Sequence, residues 1–299
     1  MKHWIRLSRP EFHTVGLLPL LLGAVLGYQA AGSFHVASLL LALLATMLIM
    51  LVTYWTGEVF DYEVDALSAR LERNRFSGGT LVLQSTGLPR EKVLRAALAA
   101  AFLTVVAGLG LTWGMGYGPS LLLAGSLGAF LGFFYSTPPF RWAYRGLGEV
   151  FIAIAYGWLP VAVGYYLQVR SWDVAPVLAY GTPVAISIFM VILINEFPDY
   201  PADRRMGKRN LVVRLGREGG ARLYLTASLA FAAAVLVPLL RGEGSFLPAL
   251  PAVALALAGG LEMMKGAWRD GRALERLCGR TILLNVATCL LLTAGLLLF

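Results

Sequence analysis

Charge is scarce in this sequence. Asp, Glu, Lys and Arg make up 14% of its 299 residues, against about 25% in an ordinary soluble domain. Cysteine is scarcer still. Cys278 and Cys289 are the only two, too few and too late in the chain to staple a fold, which excludes a disulfide scaffold. The three histidines, His3, His13 and His35, are scattered and share no metal-binding spacing, so they read as surface or packing residues. No GxxxxGK[ST] phosphate loop and no dinucleotide fingerprint occurs, and Gly78-Gly79 is too short for either. Apolar residues fill the space instead: 58% of the chain is hydrophobic and its mean hydropathy is +0.70. One or two soluble cores cannot hide that much apolar surface, so a bilayer must be the solvent, which excludes a soluble enzyme and a disordered chain. The net charge of +8 then reports basic loops at one membrane face, and no nucleic-acid partner is expected.

The hydrophobic runs predict an all-α, polytopic membrane protein with nine spans, roughly 12–31, 36–57, 93–112, 118–136, 147–168, 176–197, 221–240, 246–264 and 280–299. Spans three and four are the hardest to separate, because only the segment 113–118 lies between them. The basic N-terminus precedes a long apolar run without a clear small-residue cleavage site, so no cleavable signal is expected. With nine spans, all of the 25 Lys and Arg residues except Arg170 and Arg241 fall on one side. The positive-inside rule puts that side, with the N-terminus, in the cytoplasm.

A repeat carries carboxylates. Residues 57–65 read GEVFDYEVD and residues 195–203 read NEFPDYPAD, at the ends of spans two and six. Glu58 matches Glu196, Asp61 matches Asp199, Tyr62 matches Tyr200, and Asp65 matches Asp203. Positions i, i+3 and i+7 share one helix face, so each copy makes an acidic stripe. Pro198 and Pro201 are expected to break or kink the second helix end. Like charges so close raise each other's cost, and a cation between them relieves it. Oxygen ligands without nearby His or Cys suit a hard ion such as Mg2+, which takes one or two carboxylates plus substrate phosphates. A solvated loop beyond a span readily explains one acidic cluster. Two clusters in one register, flanked by Arg and Lys, point instead to a metal-bridged diphosphate.

These segments resemble the UbiA superfamily of intramembrane prenyltransferases, whose aspartate-rich motifs are written NDxxDxxxD and DxxxD. Gly57-Glu58-Val-Phe-Asp61-Tyr-Glu-Val-Asp65 aligns with the first, with Gly57 in place of the family's Asn and Glu58 in place of Asp. Asp199-Tyr-Pro-Ala-Asp203 aligns with the second, and Gly207-Lys208-Arg209-Asn210-Leu-Val-Val-Arg214-Leu-Gly216 looks like the family's GKxTLxVxLG tail. Tyr135-Ser136-Thr-Pro-Pro resembles a further family stretch. Tyr144-Arg145-Gly-Leu-Gly-Glu149 looks like the branch that prenylates 1,4-dihydroxy-2-naphthoate for menaquinone. The family's Arg-Pro-x-x-x-Gly stretch is missing after the first motif, and Arg75 stands in as a displaced basic residue.

The resemblance implies one domain over residues 1–299, with helices one to four repeated by five to eight and a ninth added. It implies Mg-dependent transfer of a polyprenyl group from an allylic diphosphate to an aromatic ring. Asp61, Asp65, Asp199 and Asp203 would bind two Mg2+, with Glu58 and Glu196 supporting and Asn195 on metal or phosphate. Arg75, Lys208 and Arg209 would clamp the diphosphate, with Arg141 and Arg145 behind them, and Tyr135 and Ser136 would touch substrate. Phe133, Phe134, Tyr135, Tyr156 and Trp158 are candidates to line an apolar groove open to lipid. The expected acceptor is 1,4-dihydroxy-2-naphthoate; 4-hydroxybenzoate, homogentisate, a glycerol phosphate lipid and haem are alternatives. A transporter is the competing class, since it too uses internal repeats. Its sites lie at the bilayer midplane, however, whereas these acids sit at one face. No obligate protein partner is expected, and the protein is placed in a bacterial or archaeal cell membrane with its active site on the cytoplasmic face.

Overall fold

The computed structural model describes residues 2–299, and no strand occurs among the described residues. The helices are α1 (Lys2–Leu7), α2 (His13–Ala31), α3 (Val36–Phe60), α4 (Tyr62–Ser68), α5 (Val82–Thr86), α6 (Arg90–Leu109), α7 (Pro119–Phe133), α8 (Gly148–Ala153), α9 (Leu159–Val169), α10 (Val174–Arg205), α11 (Leu211–Leu240), α12 (Leu250–Met264) and α13 (Gly271–Leu298). A π-helical turn, Ile154–Trp158, joins α8 to α9 in one run. Eight helical runs are long and apolar enough to cross a bilayer, and α7 is a further apolar helix of 15 residues.

The outside of the bundle shows why these runs need lipid. Leu98, Phe102, Trp113 and Leu123 are each more than half exposed, an apolar belt that water would not tolerate. Inside, α10 is the central helix, touching α2, α8, α9, α11 and α13. Close approach of α2 and α9 depends on two glycines. A Cβ on Gly23 would lie 2.1 Å from the Val161 carbonyl oxygen, and one on Gly164 would lie 2.1 Å from that of Leu20. Small residues of this kind let membrane helices meet backbone to backbone.

Pro198 and Pro201 do not break α10, contrary to the sequence expectation; the helix runs through both to Arg205. A proline removes the hydrogen bond to the carbonyl four residues earlier, which strands the oxygens of Ile194 and Phe197. Each is taken from another helix. Cys278 Sγ of α13 donates to the Ile194 oxygen at 3.9 Å, and Arg217 of α11 donates to the Phe197 oxygen at 3.4 Å. Neighbouring helices can thus repair a proline within a bundle, and the continued helix carries Asp199 and Asp203 onward on one face.

Replacing Gly164 by Val should destabilise the bundle by ~2 kcal/mol or more, because a backbone carbonyl cannot move aside as a side chain would. Thermal unfolding in detergent, with the monodisperse fraction, measures this. A wild-type transition would show that α2 and α9 do not meet at their backbones.

Candidate active site

The ends of α3 and α10 open into one cleft of about 1080 Å3, lined by both acidic stripes. Glu58, Asp61, Asp65, Glu196, Asp199 and Asp203 all line it, and all six are buried. The first stripe survives a break in its helix: α3 ends at Phe60, Asp61 turns the chain, and α4 begins at Tyr62.

Most of these oxygens have a partner. Asp61 accepts from Ser136 Oγ at 2.7 Å and from Tyr144 OH at 2.8 Å, and lies 3.6 Å from Lys208 Nζ and 3.9 Å from Arg141. Asp199 accepts from Ser68 Oγ at 2.9 Å and from the Gly78 amide at 2.6 Å. Glu58 accepts from the Thr80 amide and hydroxyl at 2.6 and 2.9 Å. The loop bearing Gly78 and Thr80 is tied from behind by Arg73, which donates to the carbonyls of Gly78 and Gly79 at 2.9 and 2.5 Å. Gly79 takes φ +66°, and a Cβ there would lie 2.1 Å from Asp65 Oδ2.

The second stripe is organised by the start of α11. The first three amides of a helix have no intrahelical acceptor. Here Leu211 N–H donates to Glu149 at 2.6 Å, Val212 N–H to Glu196 at 3.4 Å, and Val213 N–H to Asn210 Oδ1 at 2.8 Å. Asn210 also donates to Asp203 Oδ2 at 2.7 Å. The turn between α10 and α11 is closed by the Lys208 amide on the Asp203 carbonyl at 2.9 Å, which returns the Lys208 side chain to within 3.9 Å of Asp203 Oδ1.

Electrostatics follow from this burial. Among the described residues no side-chain or backbone group donates to the Asp65 carboxyl; burial, and then Asp61 beside it, raise its pKa well above the ordinary carboxyl value. Burial disfavours the Lys208 ammonium, but Asp203 and Asp61 outweigh it and raise the pKa well above the ordinary value, keeping the group charged. Burial and Asp61 likewise raise the Tyr144 pKa, so its phenol stays a donor.

The donor set fits a hard divalent cation. Asp203 Oδ1 and Asn195 Oδ1 are buried without a hydrogen-bond partner. The cleft lining contains no His or Cys. No three acidic, His or Cys side chains among the described residues converge as ligands of a single ion. Any ion held here would need oxygens from water or substrate to complete its shell, which is the habit of Mg2+.

Of the residues singled out from sequence, Asn195, Tyr135, Ser136 and Lys208 share this cleft with the six acids, and Arg141 reaches its edge. The other arginines lie outside its lining. Arg75 is exposed with its guanidinium 4.6 Å from the Phe76 ring, because Phe76 is the residue that turns inward. Arg145 is exposed and donates to the Pro139 carbonyl at 3.1 Å. Arg209 is exposed, and its carbonyl accepts from Arg214 at 2.8 Å. Tyr156 lines the cleft, whereas Phe133 and Phe134 join an aromatic cluster with Phe130 and Phe140, and Trp158 donates to Thr182. Arg9, Tyr54 and Asn210 also line the cleft, and composition and charge counting passed over them.

Residues 16–297 match the family model described as the UbiA prenyltransferase family. The chain is 29% identical over 235 residues to the 2-carboxy-1,4-naphthoquinone phytyltransferase of Synechocystis, covering 76% of this chain and 70% of that one. It is 28% identical over 265 residues to the 1,4-dihydroxy-2-naphthoate octaprenyltransferase of Bacillus subtilis, covering 87% and 80%. Among solved structures, a UbiA homolog from Aeropyrum pernix superposes with a TM-score of 0.69 at 17% identity, covering 95% of this chain and 97% of that one. A UbiA homolog from Archaeoglobus fulgidus bound to DMAPP and Mg2+ superposes with a TM-score of 0.64 at 17% identity, covering 99% of each.

Gly79→Ala should displace Asp65 or the loop above it. We expect at least a tenfold fall in turnover, about 1.4 kcal/mol in the barrier, with the melting temperature within a few degrees of wild type. Steady-state rates and thermal unfolding of the same preparation measure both. Full activity would show that the loop does not hold Asp65 in place.

Proposed function

This chain belongs to the UbiA prenyltransferase family, and we propose that it moves a polyprenyl group from an allylic diphosphate onto a carboxylated aromatic ring, 1,4-dihydroxy-2-naphthoate in menaquinone synthesis. One observation carries the reading: two repeated carboxylate clusters face each other across one cleft, with Lys208 between Asp61 and Asp203. The names of the naphthoate relatives support the acceptor.

Asp61, Asp65, Asp199 and Asp203 would hold Mg2+, with Asn195 beside them. Glu58 and Glu196 already accept backbone N–H groups and support the site by fixing the segments over it. When bound, the metal neutralises the negative charge that develops on the leaving diphosphate. Lys208 and Arg141 orient that diphosphate and add positive charge at the same end. Arg75, Arg145 and Arg209 lie outside the cleft lining and would reach the substrate only from its rim. The allylic C–O bond breaks and the diphosphate keeps the electron pair. The faces of Tyr135 and Tyr156 favour the cationic carbon left behind. A ring carbon of the acceptor supplies the pair for the new C–C bond. The ring regains aromaticity as the displaced substituent departs without its bonding pair, as a proton or as carbon dioxide.

The tail needs an apolar path. A second cavity of about 950 Å3 is lined by Leu20, Ala42, Met50, Gly108, Gly128 and Val163, and Tyr156 borders both this cavity and the cleft. It has the chemistry to take isoprenoid carbons. Counting α7 as a crossing gives nine, the first four (α2, α3, α6, α7) being repeated by the next four (α8–α9, α10, α11, α12) with α13 as the ninth, and the bias of Lys and Arg supports a cytoplasmic N-terminus and cleft in a bacterial or archaeal membrane.

Purified protein in detergent with Mg2+ and a polyprenyl diphosphate, offered 1,4-dihydroxy-2-naphthoate, 4-hydroxybenzoate and homogentisate in turn, tests the reading by product mass and diphosphate release. The naphthoate should give prenylated product, and EDTA should stop it. Intact diphosphate with every acceptor would sink the assignment. Asp199→Asn and Asp61→Asn should each cost about 100-fold or more in kcat, while Lys208→Ala should mainly raise the donor KM, about tenfold. Near-normal rates in both aspartate variants would remove the metal role, and an unchanged donor KM would remove the Lys208 clamp.

A further inference from the structure

Arg9 occupies a place that topology alone does not explain. Its backbone sits in the left-handed region at φ 49°, ψ 59°, a conformation that costs a non-glycine residue about 1–2 kcal/mol. The turn is fixed on both sides: Leu7 is fully buried before it, and Phe12 N–H donates to the Arg9 carbonyl at 2.9 Å after it. The turn brings the residue to the wall of the cleft. There the guanidinium lies 4.7 Å from the centre of the Phe12 ring and 5.8 Å from that of Tyr54. Among the described residues it makes no ion pair. Glu58 of the cleft feels the Arg9 charge, but both its oxygens already accept from Thr80.

The cleft therefore has two cationic stations of different character. Lys208 stands among carboxylates, paired with Asp61 and Asp203. Arg9 stands over the rings of Phe12 and Tyr54, and the acid nearest in effect, Glu58, is already bound to Thr80. A diphosphate finds its counter-charge at the first station. The second offers a planar fork that binds a carboxylate through two parallel hydrogen bonds, beside flat apolar surfaces that suit an aromatic ring.

We propose that Arg9 binds the carboxylate of the aromatic acceptor and so selects carboxylated rings over uncharged ones. The proposal rests on the acceptor class assigned above. It gives the acceptor a fixed end, with its ring against Phe12 and Tyr54 and its open edge toward the donor.

The test compares a 1,4-dihydroxynaphthalene bearing a 2-carboxylate with the one bearing a 2-carboxamide, on the full-length protein. Equilibrium binding of each ring alone, followed by its own fluorescence without donor or metal, is the first readout. Wild type should hold the carboxylate at least tenfold more tightly than the carboxamide. Arg9→Gln should abolish that preference, and Arg9→Lys should keep part of it, while the donor KM stays within about twofold of wild type in both. Equal binding of the two rings to wild type overturns the proposal, and this arm does not depend on how the variants fold. A preference that survives in Arg9→Gln, or a variant that raises only the donor KM, also overturns it. Either result would leave the prenyl-transfer reading standing if wild type still makes product. Failure of wild type to make product would instead remove that reading, with the binding comparison still deciding the role of Arg9.

Discussion

Six carboxyl groups share one buried cleft at the edge of a membrane protein, and the rest of the site answers to that concentration of negative charge. An isolated carboxylate out of water is costly, and neighbours of the same sign add to the cost. The chain offsets it unevenly. Asp61, Asp199, Glu58 and Glu196 each accept from hydroxyls or backbone amides. Among the described residues Asp65 has no donor, and one oxygen of Asp203 has none. The least satisfied acids are thus the last aspartate of each repeat, both in the cleft lining. Lys208 places one ammonium between Asp61 and Asp203, and one ammonium cannot balance two such clusters. The remaining deficit of positive charge is the physical ground for the proposed metal and diphosphate binding.

The repeat also divides labour in a way its spelling conceals. The opening glutamates occupy matched positions, and both hold backbone rather than pointing freely at a ligand. Glu58 grips Thr80 of the loop after α4, and Glu196 takes an amide at the start of α11. Each motif therefore anchors the segment that returns over it. Glu149 joins Glu196 in this task, since it receives the Leu211 amide. Holding the start of α11 also fixes Asn210, and Asn210 fixes Asp203. The route from motif to covering segment to aspartate runs through hydrogen bonds, the longest being Val212 N–H to Glu196 at 3.4 Å.

Hydropathy and the acidic register made the helical bundle and the facing clusters legible, because both are periodic and local. Prolines 198 and 201 misled, because their effect depends on what a distant helix offers. Nothing within α10 announces that Cys278 and Arg217 will reach the freed carbonyls. The arginines were hard to sort for a similar reason. Arg75, Arg145, Arg209 and Arg9 carry the same charge in similar loops, and whichever neighbour turns inward decides where each one goes. Phe76 takes the inner position and leaves Arg75 outside. The left-handed turn at Arg9 does the reverse. Loop 71–81 has no period to read, so its role over Asp65 rests on contacts that only the folded chain supplies.

The cleft is half salt and half oil. The acids lie where α3 and α10 end. The rest of the lining includes aromatic and aliphatic side chains, and Tyr156 borders a second, largely apolar cavity that reaches out to the exposed Val105. Tyr156 sits in the π-helical turn between α8 and α9. Such a turn inserts an extra residue and shifts the helix face without ending the helix. On this run it lets α8 present Glu149 toward α11 while α9 presents Gly164 to α2. One helix thereby serves the polar roof and the close-packed floor in succession. A straight α-helix of the same sequence would rotate one of those two faces away from its partner, so the irregular turn is part of what lets one bundle hold an acidic cleft and a close-packed interior together.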